Sequence, residues 1–152
     1  MDADCLIKLT KAGLKETIAS ACYIIIPHVV KAEVVDAGKV KDCEDAFIVE
    51  KNLTAGKIDV FGKTASFRKG DDAVIELFDK TTHDAVGTDD ARLVKRLIHN
   101  SIPFVLPAVI ILNLFKAEHL EHEKALWMLE QLAPFISDDE YAMVYAMIGR
   151  EP

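Results

Sequence analysis

Acidic side chains set in apolar frames are the residues of this chain most able to do chemistry. Asp2 and Asp4 stand in MDADCLIKL, Glu33 in VVKAEVVDAG, Asp71 and Asp72 in KGDDAVIELF, and Asp89 and Asp90 in AVGTDDARLV. A carboxylate among apolar neighbours is costly unless a cation or a hydrogen-bonding partner neutralises it. A hard divalent cation with oxygen ligands is the economical partner. Each segment also has a plainer reading. Asp71 and Asp72 suit the dipole of a helix N-terminus, and Asp89 or Asp90 suits a helix cap. Glu33 reads equally as a solvated helix residue near Lys31, and Asp2 as a terminal acid.

Those acids need elements that bring distant segments together. LIKLTKAGLKETIASA has helical apolar spacing at Leu6, Leu9, Leu14 and Ile18, which predicts one helix. YIIIP predicts a buried strand closed by Pro27, and HVVKAEVVDAG a helix with Gly38 as its C-cap. A helix over DCEDAFIVEKNLTAG, ended by Gly56, precedes the strand KIDVFG. KGDDAVIELFDKTT and DDARLVKRLIHNS predict helices, DAVGT and IPFVLP strands. PAVIILNLFKAEHL opens a helix with Pro107 near its first position. HEKALWMLEQLAPF and SDDEYAMVYAMIG are two more, the last with Ser137 and Glu140 as a capping box.

Strands alternating with helices predict an α/β fold, a three-layer α/β/α sandwich with a central parallel sheet. Residues 1–152 are expected to form a single domain, with residues 121–152 as C-terminal helices. In such sheets ligands bind beyond the carboxyl ends of the strands. Asp71 and Asp72 open a helix there, Asp89 and Asp90 follow a strand, and Glu33 lies about two turns into a helix.

Composition narrows the function classes. The chain is 51% hydrophobic and 28% charged, an ordinary balance for a folded protein. A net charge of -7 argues against a nucleic-acid binder that works by overall attraction. It leaves a nuclease open, because a metal site concentrates acids and cancels part of their charge. Cys5, Cys22 and Cys43 have no CxxC spacing and read as reduced thiols of a cytoplasmic protein. Asp2 and Asp4 interrupt any signal peptide, and IPFVLPAVIILNLF is too short and too broken by Pro103 and Pro107 to span a membrane. His119 and His122, amid Glu118, Glu121 and Glu123, read as a solvated helix face, and His28 as a helix start. His83 lies close to the Asp89–Asp90 segment. Arg68, Lys69, Arg92, Lys95 and Arg96 are candidates for a basic rim that meets phosphate.

Taken in order, the acidic segments resemble the PIN-domain family. MDADCLIKL resembles its opening pattern, an Asp followed two places on by Asn, Ser or Asp and then by Leu-Ile. IIIPHVVKAEVVDAG resembles the segment that carries the family's Glu, here Glu33. KGDDAVIEL resembles the Gly-Glu helix start of one branch, with Asp71 in place of the Glu. VGTDDARLVKRLIHNSIPFVLP resembles the Asp-Asp segment and the strand after it. The resemblance implies a ribonuclease that uses Mg²⁺ or Mn²⁺ and a metal-activated water to hydrolyse single-stranded or structured RNA. Carried over residue by residue, the catalytic and metal-binding set is Asp2, Glu33, Asp71 and Asp90, with Asp89 beside the last. Asp72 rivals Asp71, and Asp89 rivals Asp90. Asp4 falls where the family keeps a polar residue that orients the first Asp, and Thr88 is placed to hydrogen-bond a carboxylate. A homodimer and a small antitoxin protein, as in a toxin–antitoxin pair, are implied as partners. In the family several apolar residues precede the first Asp; here only Met1 does, so the first strand is expected to be cut short, or the chain to begin later than its relatives.

Two other functions compete. Asp2-Ala3-Asp4 is similar to the nucleophile and acid of haloacid-dehalogenase-like phosphotransferases, though no long apolar strand precedes it and no late Gly-Asp-x-x-x-Asp motif follows. A PIN-like module that has kept the fold for binding or regulation is the other. Leu126, Met128, Tyr141, Val144, Tyr145 and Met147 read either as core or as the apolar surface a partner would need.

Overall fold

Gly13 divides the first predicted helix in two. In the computed structural model, which describes residues 1–36, 44–62 and 70–150, α1 spans Ala3–Lys11 and α2 spans Lys15–Ala21. Gly13 takes a φ of +71°, a left-handed conformation that costs glycine little. The N–H of Leu14 then reaches Leu9 O at 2.9 Å and that of Gly13 reaches Thr10 O at 3.0 Å. This crossed pair satisfies the last carbonyls of α1 and stops it. The apolar spacing carried on past Gly13, which is why it predicted one helix.

The other elements follow the pattern. After β1 (Ile24–Pro27), α3 (His28–Lys31) widens into a π-helical turn over Ala32–Asp36, which holds Glu33. Then come α4 (Glu44–Thr54), β2 (Ile58–Phe61), α5 (Gly70–Lys80), β3 (Val86–Gly87), α6 (Ala91–His99), β4 (Phe104–Val105), α7 (Pro107–Lys116), α8 (His122–Leu132) and α9 (Asp138–Ile148). Gly38, Cys43, Arg68 and Lys69 lie outside the described residues. No helix among the described residues is long and apolar enough to cross a membrane.

The fold is α/β with short parallel strands. β1 pairs with β2 in register Ile24–Ile58 to Pro27–Phe61, and β3 with β4 in register Val86–Phe104 and Gly87–Val105. Among the described residues the strands thus form two two-stranded parallel sheets where one central sheet was expected. Met1 and Asp2 join them. The α-amine of Met1 donates to Ile25 O at 3.1 Å, and the Asp2 N–H donates to Gly87 O at 3.0 Å. Successive residues that reach to opposite sides are what a strand provides. Met1 and Asp2 thus bridge the two sheets, and Asp2 also caps α1.

One apolar core runs from Cys5 and Leu6 on α1 to Val144 and Ile148 on α9. α7 is buried over most of its surface, with Ala108, Ile110, Ile111, Leu112 and Leu114 in the core and Asn113 and Lys116 exposed. α6 buries Leu93 and Leu97, one turn apart, each a gain of about 1.5–3 kcal/mol. Met128 and Val144 are fully buried, whereas Trp127, Met143, Tyr145 and Met147 remain exposed. The capping box forms by half. Ser137 caps α9 by accepting from the Glu140 N–H at 3.2 Å, but the Glu140 carboxylate turns instead to the Ala108 N–H at 2.8 Å. Pro107 and Ala108 open α7, whose free N–H groups attract an anion more strongly than the Ser137 backbone does.

Candidate metal centre

Asp2 sits where the two sheets meet, and its side chain is spoken for on both sides. One oxygen accepts from the Cys5 N–H at 2.8 Å, which makes Asp2 the N-cap of α1. The other accepts from the Thr88 hydroxyl. Thr88 is fully buried and in turn accepts the Asp90 N–H at 3.1 Å. Burial pushes the Asp2 carboxyl above its ordinary value despite these two donors. Asp4, an exposed residue of the first turn of α1, acts on Asp2 through its charge, while Thr88 and the Cys5 N–H bond the Asp2 carboxylate.

The segment after β3 supplies two acids with different duties. Asp90 caps α6, one oxygen accepting from the Arg92 N–H at 2.8 Å and the Leu93 N–H at 2.9 Å. The Leu93 N–H foremost, and then that of Arg92, holds its carboxyl below the usual range. Asp89 pairs with the ammonium of Lys8 on α1. Burial works against the charge of Lys8, yet Asp89 outweighs it and raises the lysine's pKa.

Glu33 and Asp71 complete the acidic end. Glu33 lies against Gly70, the first residue of α5: a Cβ at Gly70 would stand 3.1 Å from one carboxylate oxygen of Glu33 and 3.3 Å from the other. Desolvation raises the Glu33 carboxyl, followed by the charges of Asp71 and Asp4. Asp71 and Asp72 both meet Arg96 of α6, Asp72 at 2.7 Å and Asp71 at 3.7 Å. Of the two, Asp71 is the one that Glu33 feels, and Asp72 is turned to the arginine.

A model of one family, described as a PIN domain, matches residues 1–150. The chain belongs to the PIN-domain family. Comparison with curated proteins and comparison with solved structures gave no match. The PIN fold is in general that of nucleases, and such domains typically use divalent metals.

The donors of this PIN domain suit a hard ion in kind: Asp2, Glu33, Asp71 and Asp90 offer carboxylate oxygen. Gly70 leaves the Glu33 carboxylate space that a side chain would fill. In arrangement they are spread out. Among the described residues no group of three or more His, Cys, Asp or Glu stands close enough to share an ion. Asp2, Asp89, Asp90, Asp71 and Asp72 have partners of their own: Thr88 for Asp2, the α6 N–H groups for Asp90, Lys8 for Asp89 and Arg96 for Asp71 and Asp72.

Two residues here escaped the sequence reading. Glu140 is only 7% exposed and is pushed up by burial, with Asp89 and Lys8 close enough to shift it in opposite directions. Its capping-box spacing disguised it. Lys8 carried no signal beyond helical position, because a cation four residues after Asp4 looks like a surface pair.

Proposed function

We propose that this PIN domain is a divalent-metal-dependent ribonuclease. The reading rests on Asp2, a nearly buried carboxylate fixed at the junction of two parallel sheets, with Glu33, Asp71 and Asp90 as the other ligands of the proposed set: Thr88 links Asp2 to the Asp90 N–H, and Asp71 and Asp4 act on Glu33 through their charge. Mg²⁺ or Mn²⁺ held by these four acids would supply Lewis acidity toward a phosphodiester and its attacking water. The chain's own residues do the rest. Thr88 and the Cys5 N–H hold Asp2 rigid, so that no rotamer freedom is lost when a ligand arrives. Glu33 is exposed and lies against Gly70, which has no side chain to hold it, so its carboxylate can move toward a ligand. Arg92, Lys95 and Arg96, all exposed on α6, offer cations to the RNA backbone beside the acids.

The test is cleavage of a labelled single-stranded RNA in Mn²⁺ by the parent, Glu33→Gln and Asp90→Asn. Asn accepts the same N–H groups and keeps the α6 cap, so Asp90→Asn removes charge without removing structure. Cleavage by the parent that both variants lose supports the reading; cleavage that survives both changes, or that survives chelation, removes it. A toxin role, with a homodimer and a small antitoxin as partners, belongs to the same proposal. The exposed Trp127, Met143, Tyr145 and Met147 of α8 and α9 are its candidate contact surface.

One observation favours a second reading, a PIN-like binding or regulatory module. Asp2, Asp89, Asp71 and Asp72 are satisfied by protein donors alone. Mn²⁺ that neither binds nor changes the melting temperature would select it.

A further inference from the structure

Lys8 is a cation built into the acidic end of the domain. It lies one turn after Asp4 on α1, on the same helix face. Its ammonium pairs with Asp89 across 81 positions of chain, and the two side chains are only 28% and 14% exposed. Its charge reaches further. Asp4 acts on the ammonium, and the ammonium acts in turn on Asp90 and on Glu140 of α9. Carboxylates from α1, from the start of α6 and from α9 thus share one positive charge. A cavity of about 370 Å³ opens beside the pair, bordered by Asp89, Leu106, Ser137, Asp139, Glu140 and Met143. Glu140 is buried there and gives one oxygen to the Ala108 N–H. A water takes about 30 Å³, so the space admits an ion with several waters. Three carboxylates and a hydroxyl are donors of the kind that a hard divalent ion takes. Asp89 is nevertheless already neutralised, by a cation that belongs to the chain itself.

We propose that Lys8 is a positioning residue that takes the place of a second metal ion: its ammonium, held by Asp89, limits the acidic end to one divalent ion and keeps Asp89 out of the ligand set. The proposal rests on the ribonuclease reading, since it concerns how many ions that site accepts. Its physical ground is charge balance. Removing one member of a pair this little exposed leaves the other charge uncompensated, and an uncompensated carboxylate beside two more draws a cation from solution. With Lys8 in place that demand is met from within, and Asp90 is left to cap α6 and to serve the single ion with Asp2, Glu33 and Asp71.

The probe is Mn²⁺ alone, titrated calorimetrically into the 152-residue chain at low ionic strength, with free Mn²⁺ counted by its paramagnetic resonance. Lys8→Met keeps the apolar stem and removes the charge, whereas Lys8→Arg keeps the charge. The expected count is one ion for the parent and for Lys8→Arg, and two for Lys8→Met. Adding Asp89→Asn to Lys8→Met should return the count to one. At about 100 times the second site's Kd, Mn²⁺ should raise the melting temperature of Lys8→Met by roughly 5–10 °C more than that of the parent. A lysine with only a structural role would lower the melting temperature on removal and leave the count at one. Two ions in the parent, or one in Lys8→Met, overturn the proposal and leave the ribonuclease reading standing; no ion in the parent removes both. If Lys8→Met fails to fold, Asp89→Asn in the parent decides the matter. Retention of the one ion supports the proposal, and its loss makes Asp89 a ligand and overturns it.

Discussion

The Thr88 hydroxyl donates to one carboxylate oxygen of Asp2 and accepts the N–H of Asp90 at 3.1 Å, so a single fully buried oxygen ties the start of the chain to the start of α6. Thr88→Val keeps the shape and removes the oxygen, which leaves the Asp2 carboxylate and the Asp90 N–H each short of a partner. The expected loss is about 1–3 kcal/mol, a fall in melting temperature of roughly 3–8 °C for a chain this size. Thr88→Ser, which retains the hydroxyl, should lose less than half of that. Thermal unfolding of the two variants side by side decides it; equal losses would mean that only the methyl group matters.

Glu33 makes stability depend on pH in a direction opposite to most surface acids. Its carboxyl titrates above the ordinary 4.5 in the folded protein, through desolvation first and then the charges of Asp71 and Asp4. An acid raised in this way stabilises the fold below its unfolded value and loses that contribution as pH rises through the folded one. Glu33→Gln should therefore melt higher than the parent near pH 7, by roughly 1–3 °C, with the gap closing toward about pH 4 as the carboxyl protonates. Mn²⁺ should raise the melting temperature of the parent and leave that of Glu33→Gln nearly unchanged. A constant offset between the two proteins across the pH range would show that charge is not the cause.

The order of elements was legible because strands and helices differ in apolar period, and α6 or α7 could be drawn from Leu93, Leu97 and the Pro107 start alone. Gly13 was not, since the same apolar period continues across it. For the site, the resemblance in segment order offered Asp2, Glu33, Asp71 and Asp90 as candidates, with Asp72 and Asp89 as rivals. Their present partners were not legible, because Arg96 reaches Asp72 across 24 positions and Lys8 reaches Asp89 across 81. Glu140 shows the same limit from the other side: its spacing from Ser137 announces a local cap, and the free N–H of Ala108, 32 positions away, takes the side chain instead.

Gly70 offers a separation of stability from activity. Its φ is not left-handed, so alanine fits the backbone and should gain about 0.4–1 kcal/mol by restricting the unfolded chain. The added methyl would stand 3.1 Å from the nearer Glu33 oxygen and displace the carboxylate by a few tenths of an ångström. Gly70→Ala should melt at the same temperature as the parent or higher, and should lose Mn²⁺-dependent cleavage by roughly three- to tenfold, a small misplacement of a ligand being costly. Full activity in Gly70→Ala would place Glu33 outside the reacting centre.

Arg96 holds Asp72 at 2.7 Å and Asp71 at 3.7 Å while all three side chains stay more than 40% exposed. Exposed pairs of this kind contribute about 0–1 kcal/mol, so Arg96→Gln should leave the melting temperature within roughly 3 °C of the parent. The guanidinium nonetheless competes with any cation for Asp71. Its removal should tighten Mn²⁺ binding about three- to tenfold at low ionic strength, and less in salt, where the Debye length falls below about 10 Å. RNA binding should move the other way, because a phosphate contact is lost with the same side chain. Calorimetric titration with Mn²⁺ and a separate RNA-binding assay measure the two effects independently. Unchanged Mn²⁺ affinity would mean that Asp71 takes no part in holding the ion.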